Sequence, residues 1–171
     1  STHLQVAGLM AIKARGVPSW QEVFNEFKQQ TGLFKNASYD LPSLNNPRLA
    51  GGMHWTGEEY LDFLSALKKG RLLNAASMSQ LLVDRTATAK LVYSPAAALG
   101  EVWHYGFGYW HECQSTSFNC APATRISSPG AYGAYPFWDR SKSYVGILAR
   151  QGELGTFTKG ATLERAIRPK V

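Results

Sequence analysis

The 171-residue sequence predicts an α+β fold, with helices in the first half and antiparallel strands in the second. Three observations support this prediction. Apolar residues recur at helical spacing in the first half, alternate with a period of two further on, and return to helical spacing near the end. With 44% hydrophobic and 12% aromatic residues, the chain has enough apolar side chains to bury a core.

Two helices are predicted at the start of the chain. Residues 3–15 contain few polar side chains, so we expect this helix to be buried on most sides. The next helix starts at a capping box, in which Ser19 faces Glu22, and runs to about Gln30. Gly32 is placed to end it, because glycine adopts the left-handed conformation that follows many helices.

A long segment of turn-forming residues precedes the next pair of helices. Residues 35–53 lack periodicity, but the apolar side chains among them predict an ordered loop and not a linker. A second capping box, Thr56 with Glu59, opens the clearest amphipathic helix of the sequence, and Gly70 ends it. A shorter helix is expected at about residues 77–84.

Strand patterns dominate the second half. In residues 103–109, aromatic side chains alternate with histidine and glycine, a period of two that predicts a strand. Residues 133–138 and 142–149 predict a hairpin with a turn at Asp139. Because residues 144–149 are apolar at nearly every position, we expect them to form a central strand covered on both faces.

These elements are expected to form one part of a single domain that occupies residues 1–171. Residues 1–95 are its mainly helical region, and residues 96–171 supply antiparallel strands and a closing helix at about residues 154–167. The helices alone cannot make a complete domain, since their apolar faces need the sheet to pack against.

The charge argues against nucleic-acid binding. The chain carries 18 Lys and Arg against 12 Asp and Glu, a net charge of +6. The basic residues are scattered, with small groups at 68–69, 140–142 and 165–170 separated by long neutral stretches. A nucleic-acid surface needs basic residues clustered on one face, so a solvated basic surface is the better interpretation.

Membrane insertion and targeting signals are not indicated. No apolar run approaches the ~18 residues that a membrane span requires, and the first residues show neither the basic region nor the cleavage site of a signal peptide. We expect the chain to begin in mid-structure, after an earlier part of the polypeptide.

Two cysteines bracket a polar loop. Cys113 and Cys120 predict a local disulfide, which would place the protein in an extracytoplasmic compartment, periplasmic or secreted. The alternative is a pair of reduced thiols in a cytosolic loop. No metal or other cofactor is expected, because His104 and His111 lie nearby without the ligand spacing of a metal site.

Four segments in a fixed order point to a family. Residues 51–64 read Gly-Gly-Met-His-Trp-Thr-Gly-Glu-Glu-Tyr-Leu-Asp-Phe-Leu, residues 70–73 Gly-Arg-Leu-Leu, residues 105–110 Tyr-Gly-Phe-Gly-Tyr-Trp, and residues 128–136 Ser-Pro-Gly-Ala-Tyr-Gly-Ala-Tyr-Pro. Nearly the whole chain resembles the C-terminal part of the penicillin-recognising serine hydrolases, which include class C β-lactamases, DD-peptidases and related esterases.

This resemblance implies that the catalytic nucleophile lies outside the chain. The family uses a Ser-x-x-Lys segment, in which the lysine helps to deprotonate the serine. The same spacing occurs here at Ser65 and Lys68, but it falls too late in the family's order and within a helix that we interpret as structural. The expected partner is therefore an N-terminal fragment of the same protein that carries Ser-x-x-Lys.

Ser1 corresponds to the third member of the family's second motif, Tyr-x-Asn. The resemblance implies a catalytic role for Ser1 in proton transfer, with the tyrosine on the preceding polypeptide. Serine in place of asparagine puts recognition of amide substrates in doubt. The alternative is that Ser1 only caps the first helix.

The third motif, Lys-Thr-Gly in many members, corresponds to Ser128-Pro129-Gly130. Serine at this position removes a cation used toward the substrate carboxylate, so efficient penicillin hydrolysis is not expected. The resemblance implies that the backbone N–H of Ala131 is an oxyanion-hole donor. Ser128, Gly130 and Tyr132 are the expected substrate-binding residues, with Tyr132 in an aromatic wall suited to an apolar ester.

The sequence leaves three functions open. The first is a serine hydrolase that acts through an acyl-enzyme on a small-molecule ester or amide. The second is an N-terminal-nucleophile hydrolase, in which the α-amine of Ser1 is the base for its own hydroxyl. The third is a catalytically inactive relative that binds a ligand. The histidines His3, His54, His104 and His111 have no carboxylate at an informative spacing, and we interpret them as structural.

Overall fold

The computed structural model describes residues 2–113 and 124–168. Within these ranges the chain forms five α-helices and seven strands, and all strand pairs are antiparallel. The predicted α+β fold class is confirmed. By its internal contacts the chain divides into two compact units, Ser1–Phe63 and Leu64–Val171. The assignment of residues 1–171 to a single domain stays a prediction.

The first unit begins with two helices, α1 (Thr2–Arg15) and α2 (Trp20–Thr31), which pack against each other. Ser19 caps α2, because its side chain accepts a hydrogen bond from the Glu22 N–H at 3.4 Å. Gly32 ends α2 in the left-handed conformation, with φ 69°. Both ends lie where the sequence places them.

Helix α1 is much more exposed than its sequence suggests. Leu9 and Met10 are 62% and 67% exposed, and Gly8 is the only buried residue among those described in the helix. A side-chain carbon at Gly8 would require the end of the Leu49 side chain to shift. The expectation that α1 is buried on most sides is wrong for this chain, since the elements packed against it cover one side alone.

The segment between α2 and α3 is ordered, as predicted, and contains a short hairpin. Strands β1 (Ser38–Tyr39) and β2 (Met53–His54) pair across it. Strands of two residues are too short to show a period in the sequence, so this pairing was not predicted. The hairpin packs on an aromatic cluster centred on Phe24 and Phe34.

Helix α3 (Gly57–Lys68) starts at the predicted capping box. The Glu59 N–H donates to Thr56 Oγ1 at 3.1 Å, and the Thr56 N–H donates to Glu59 Oε2 at 3.1 Å. Two helix-end N–H groups are thereby satisfied reciprocally. Gly70, with φ 67°, ends the helical turn that follows.

The second unit contains a five-stranded sheet with the order β3-β4-β5-β6-β7. Helix α4 (Ala75–Leu81) and a 3-10 helix (Pro95–Leu99) precede it, and α5 (Phe157–Ile167) follows it. The strands are β3 (His104–Tyr105), β4 (Trp110–His111), β5 (Arg125–Ser127), β6 (Tyr135–Asp139) and β7 (Tyr144–Leu148). Within the described ranges, no helix combines the length and the apolar character of a membrane span.

Two strand predictions need correction. Residues 103–109 are not one strand: β3 and β4 pair as a hairpin, and residues 106–109 form the turn between them. Gly108 has φ 85°, a conformation that a turn tolerates and a strand does not. An alternating aromatic-glycine pattern therefore also suits a tight hairpin with aromatic arms.

Strand β7 lies at the edge of the described sheet, not at its centre. All five of its residues are half-buried, so the apolar run does not reflect coverage on both faces. The predicted hairpin itself is present. Asp139 Oδ1 accepts hydrogen bonds from the Ser141 hydroxyl at 2.7 Å and the Lys142 N–H at 2.9 Å, which fixes the turn between β6 and β7.

Candidate functional site

The candidate site lies where β5 continues into the Ser128-Pro129-Gly130 segment. Beyond the last paired residue of β5, the Ser128 N–H still donates to the Pro136 carbonyl at 3.1 Å. The Gly130 N–H donates to the Ala134 carbonyl at 2.8 Å. The segment is therefore held against the chain that leads into β6.

A tight turn over residues 130–133 follows. The Gly133 N–H donates to the Gly130 carbonyl at 2.9 Å, and Gly133 has φ 95°, which requires glycine. Ala131 and Tyr132 occupy the tip of the turn and are both exposed, Tyr132 by 45%. Ala131, an expected catalytic residue, and Tyr132, an expected substrate-binding residue, are neighbours in sequence and share the tip of this turn.

The segment between β7 and α5 fixes this turn through its carbonyl groups. The Ala131 carbonyl accepts from the Gly155 N–H at 2.9 Å. The Tyr132 carbonyl accepts from the Gly152 N–H at 2.8 Å and from Arg150 Nη1 at 2.9 Å. Sequence reasoning did not identify Arg150 or the glycines as part of the site, because their contribution is made by long-range backbone contacts.

Helix α5 adds a steric constraint on the same turn. A side chain at Gly160 would overlap the Gly133 carbonyl, and one at Gly133 would overlap the Arg150 guanidinium. These close approaches leave the turn little room to move. The turn is therefore preorganised, which is the property that an oxyanion hole requires of its donors.

The Ala131 N–H is one of two donors, with the Tyr132 N–H, that this turn leaves available within the described part of the chain. In the described part of the chain no group accepts a hydrogen bond from it, whereas the neighbouring Gly130 and Gly133 N–H groups are both used within the turn. An exposed N–H on a fixed backbone can donate to a developing oxyanion without rearrangement. The predicted role of Ala131 is not tested by a bound ligand and stays a prediction.

Gly130 differs from the other glycines of the site. A side-chain carbon at Gly130 would meet nothing closer than the Ala134 carbonyl oxygen at 3.8 Å, an ordinary contact distance. The backbone of Gly130 is also not in the left-handed region. The internal packing of the chain therefore does not demand glycine here, and the space beside it is open to a substrate.

The Ser128 side chain is engaged with the chain itself. Its hydroxyl donates to the Gly108 carbonyl at 2.9 Å, which ties the β3–β4 turn to the third motif. That turn presents Phe107, which is 60% exposed and lies under the guanidinium of Arg85. The sequence patterns gave no reason to connect Phe107 or Arg85 with Ser128.

Two other predicted features lie outside the described residues. Ser1 is one of them, so neither its catalytic role nor its capping role is tested. Cys120 is the other, and the predicted pairing with the buried Cys113 therefore stays a prediction. In the described ranges no group of three or more His, Cys, Asp or Glu side chains is arranged to hold a metal ion.

The tertiary structure brings carboxylates to two of the histidines. His104 is 1% exposed and bonds Asp84 through Nδ1, and the more exposed His54 bonds Asp40 at 2.7 Å. Neither partner lies at a spacing that a sequence pattern could identify. Burial alone would raise the pKa of Asp84, but hydrogen bonds from His104 and the Thr86 N–H outweigh it and lower that pKa.

The chain has the fold of a β-lactamase-like protein. A crystal structure described as a putative β-lactamase from Bacteroides dorei DSM 17855 matches 96% of the chain with a TM-score of 0.74 and 24% sequence identity. The chain spans 55% of the length of that protein. No protein-family model matches the sequence, and no curated protein matches it either.

Proposed function

We propose that this chain is the C-terminal part of a β-lactamase-like serine hydrolase that acts through an acyl-enzyme on a small-molecule ester or amide. The observation that carries the proposal is the Ala131 N–H, which donates to no group of the described chain and lies on a turn fixed by hydrogen bonds from residues 150–155. The fold of the chain, which resembles that of a protein described as a β-lactamase, supports it.

In this mechanism the chain supplies the electrostatic part of the active site. The substrate carbonyl approaches the backbone beside Gly130, where no side chain intervenes. As the tetrahedral intermediate forms, negative charge develops on the carbonyl oxygen and the Ala131 N–H donates to it. The same donor serves the acylation and the deacylation steps, since both pass through an oxyanion.

The nucleophile belongs to an N-terminal portion that carries Ser-x-x-Lys. The length relation supports this partner, because the chain accounts for 55% of the protein of similar structure. The exposed apolar side chains that α1 groups together, Val6, Leu9 and Met10, support it as well, since a cluster of apolar side chains on a surface often marks an interaction site. We therefore place the N-terminal portion of the protein against the exposed apolar side chains of α1.

An ester is a better substrate than penicillin on this proposal. Ser128 carries no charge, and its hydroxyl is already bonded to the Gly108 carbonyl. The exposed ring of Tyr132 beside the donor favours a substrate with an apolar group. A disulfide between Cys113 and Cys120 would indicate an oxidising, extracytoplasmic compartment. Peptide mass mapping of the unreduced protein tests whether this disulfide is present.

The direct test uses the full-length protein, including the residues that precede Ser1. It is treated with a fluorophosphonate probe, and the modified residue is located by peptide mass spectrometry. We expect a covalent adduct on the serine of an upstream Ser-x-x-Lys segment, and hydrolysis of p-nitrophenyl esters that the probe abolishes.

Other outcomes point to the alternative functions. An adduct on Ser1 would identify an N-terminal-nucleophile hydrolase. Absence of any adduct, together with absence of ester hydrolysis, would overturn the proposal and favour an inactive ligand-binding relative.

A further inference from the structure

The two N–H groups that the turn leaves available, those of Ala131 and Tyr132, differ in the hydrogen bonds made by the other end of their peptide units. In a trans peptide unit the N–H and the C=O point in opposite directions. The Ala131 N–H shares its peptide unit with the Gly130 carbonyl, which accepts from the Gly133 N–H at 2.9 Å. The Ala131 N–H therefore points away from the interior of the turn.

A second peptide unit extends this hydrogen-bonded chain to a cation. The Gly133 N–H shares its peptide unit with the Tyr132 carbonyl. That carbonyl accepts from Arg150 Nη1 at 2.9 Å and from the Gly152 N–H at 2.8 Å. A chain of hydrogen bonds therefore runs from the Arg150 guanidinium through peptide units 132–133 and 130–131, and it ends at the Ala131 N–H.

The Tyr132 N–H has no such link to a charge. It shares its peptide unit with the Ala131 carbonyl, which accepts from the Gly155 N–H at 2.9 Å. This donor is a neutral backbone amide. Of the two available N–H groups, that of Ala131 is thus the one connected to a cation within the described part of the chain.

The Arg150 guanidinium is held in place and keeps its charge uncompensated. Its Nη1 also donates to Thr156 Oγ1 at 2.9 Å. The guanidinium packs against Gly133 and Gly152, which carry no side chain that would displace it. No carboxylate among the described residues forms an ion pair with Arg150. Its full charge therefore acts on the Tyr132 carbonyl.

A cation at one end of a hydrogen-bonded chain polarises each peptide unit along the chain, which makes the last N–H a stronger donor. The gain is largest when the acceptor is itself charged, because hydrogen bonds to ionised groups are the stronger ones. The polarised N–H therefore favours an oxyanion over the uncharged carbonyl of the substrate, and an interaction made mainly in the transition state raises kcat.

We propose that Arg150 is a positioning residue, which fixes and polarises the Ala131 N–H through two peptide units and selects it over the Tyr132 N–H as the oxyanion donor. This inference rests on the proposed hydrolase function and assigns a further residue to it. Arg150 acts through the backbone and does not contact the substrate. Its removal should therefore lower kcat and leave KM nearly unchanged.

The test compares Arg150→Met and Arg150→Lys in the full-length protein, with a p-nitrophenyl ester as substrate. In Arg150→Met we expect kcat to fall by about three- to tenfold, since polarisation adds a fraction of the strength of an oxyanion donor. KM should change by less than about twofold, because acylation and deacylation slow together. Arg150→Lys retains a cation that can donate to the Tyr132 carbonyl, and should recover most of the lost kcat.

Arg71→Met is the matched control, since it removes the same charge from an exposed residue that follows α3. An equal loss of kcat in Arg71→Met would attribute the effect to net charge and overturn the inference. So would an unchanged kcat in Arg150→Met, a rise in KM alone, or a loss in Arg150→Lys as large as in Arg150→Met. Ester hydrolysis is observed in each of these cases, so the hydrolase proposal then still stands.

Amide hydrogen exchange separates the inference from the hydrolase proposal. If the full-length protein hydrolyses no ester, the hydrolase proposal fails, and the exchange rate of the Gly133 N–H, measured by NMR, decides whether Arg150 positions the turn. We expect exchange to accelerate by about tenfold in Arg150→Met, the range of one hydrogen bond to a charged group, and to stay unchanged in Arg71→Met. Equal rates in all three proteins would overturn the inference. Arg150→Gln replaces Arg150→Met in both experiments if Arg150→Met does not fold.

Discussion

At the scale of single residues, the site depends on which backbone N–H and C=O groups form hydrogen bonds within the chain and which do not. Gly133 is required by its positive φ and Gly160 by the close approach of the Gly133 backbone, whereas Gly130 is required by neither. The carbonyls of Ala131 and Tyr132 are bonded, and the Ala131 N–H is open. Because packing does not require glycine at position 130 and no described group accepts from the Ala131 N–H, we place the substrate beside these two residues.

A backbone donor can be removed only by proline, so Ala131→Pro tests the Ala131 N–H. We expect kcat of the full-length protein for p-nitrophenyl esters to fall by about a hundredfold or more, since one oxyanion donor contributes about 3 to 4 kcal/mol. Ala131→Gly retains the N–H and is the matched control, with an expected change of less than about tenfold. An equal loss of kcat in both variants, with unchanged melting temperatures, would exclude the donor role.

At the scale of secondary-structure elements, helix ends are the features that the sequence specifies best. The cap of α2 and the capping box of α3 use side chains within three residues of the groups they bond. Burial of a helix face depends instead on distant partners. For this reason the bounds of α1 agree with the prediction, although its predicted burial is wrong.

The capping box of α3 should contribute measurably to stability. Thr56→Ala removes the acceptor for the Glu59 N–H, and we expect a loss of about 1 kcal/mol in the free energy of unfolding. Thr162→Ala is the control, because the Thr162 hydroxyl bonds a carbonyl of its own helix and caps no helix end. Urea denaturation measures both variants. A loss in Thr162→Ala as large as in Thr56→Ala would contradict the assignment.

At the scale of the whole molecule, a buried ion cluster links the sheet of the second unit to α5. Arg125, at the start of β5, lies among the carboxylates of Glu112, Asp139 and Glu164, and its Nη2 bonds Glu164 of α5. Tyr135 joins the cluster, since its hydroxyl donates to Glu112 at 2.6 Å. The three buried carboxylates are compensated by Arg125 and also by Arg168, whose Nη2 lies 3.1 Å from Glu112 and 2.6 Å from Glu164.

Removal of this cation should destabilise the fold strongly. For Arg125→Met we expect a loss of about 3 to 5 kcal/mol in the free energy of unfolding, because Asp139 loses the guanidinium it pairs with and Glu112 and Glu164 keep only Arg168. In the control Arg15→Met the exposed pair with Glu26 is broken, which should cost less than about 1 kcal/mol. Chemical denaturation compares the two, and similar losses would contradict a structural role for the cluster.

Burial of His111 predicts a dependence of stability on pH. Burial lowers the pKa of His111 below its ordinary value, so the folded state takes up this proton less readily than the unfolded state. Stability should therefore be complete above pH ~6.5 and fall as the pH drops below it. The lowered pKa of Asp84 acts in a separate window, below pH ~4.

Melting temperatures measured between pH 7.5 and 5 check this prediction. The decrease toward pH 5 should be smaller in His111→Gln, which cannot take up the proton. His3→Gln is the control, because it makes the same substitution at an exposed histidine. A profile in His111→Gln as steep as that of the unchanged protein would assign the effect to other groups.

By itself, the sequence determined the α+β class, both ends of α2, the start of α3 and the β6–β7 hairpin, whereas α4 was predicted at 77–84 and lies at Ala75–Leu81. These features rest on local signals, such as a capping side chain or a turn residue, which act over a few positions of the chain. The tertiary structure alone decided that the apolar side chains of α1 are exposed, that β7 is an edge strand and that Asp84 forms a hydrogen bond with His104. It also decided that residues 150–155 fix the Ala131 turn, because such contacts join residues far apart in the chain and leave no periodic pattern.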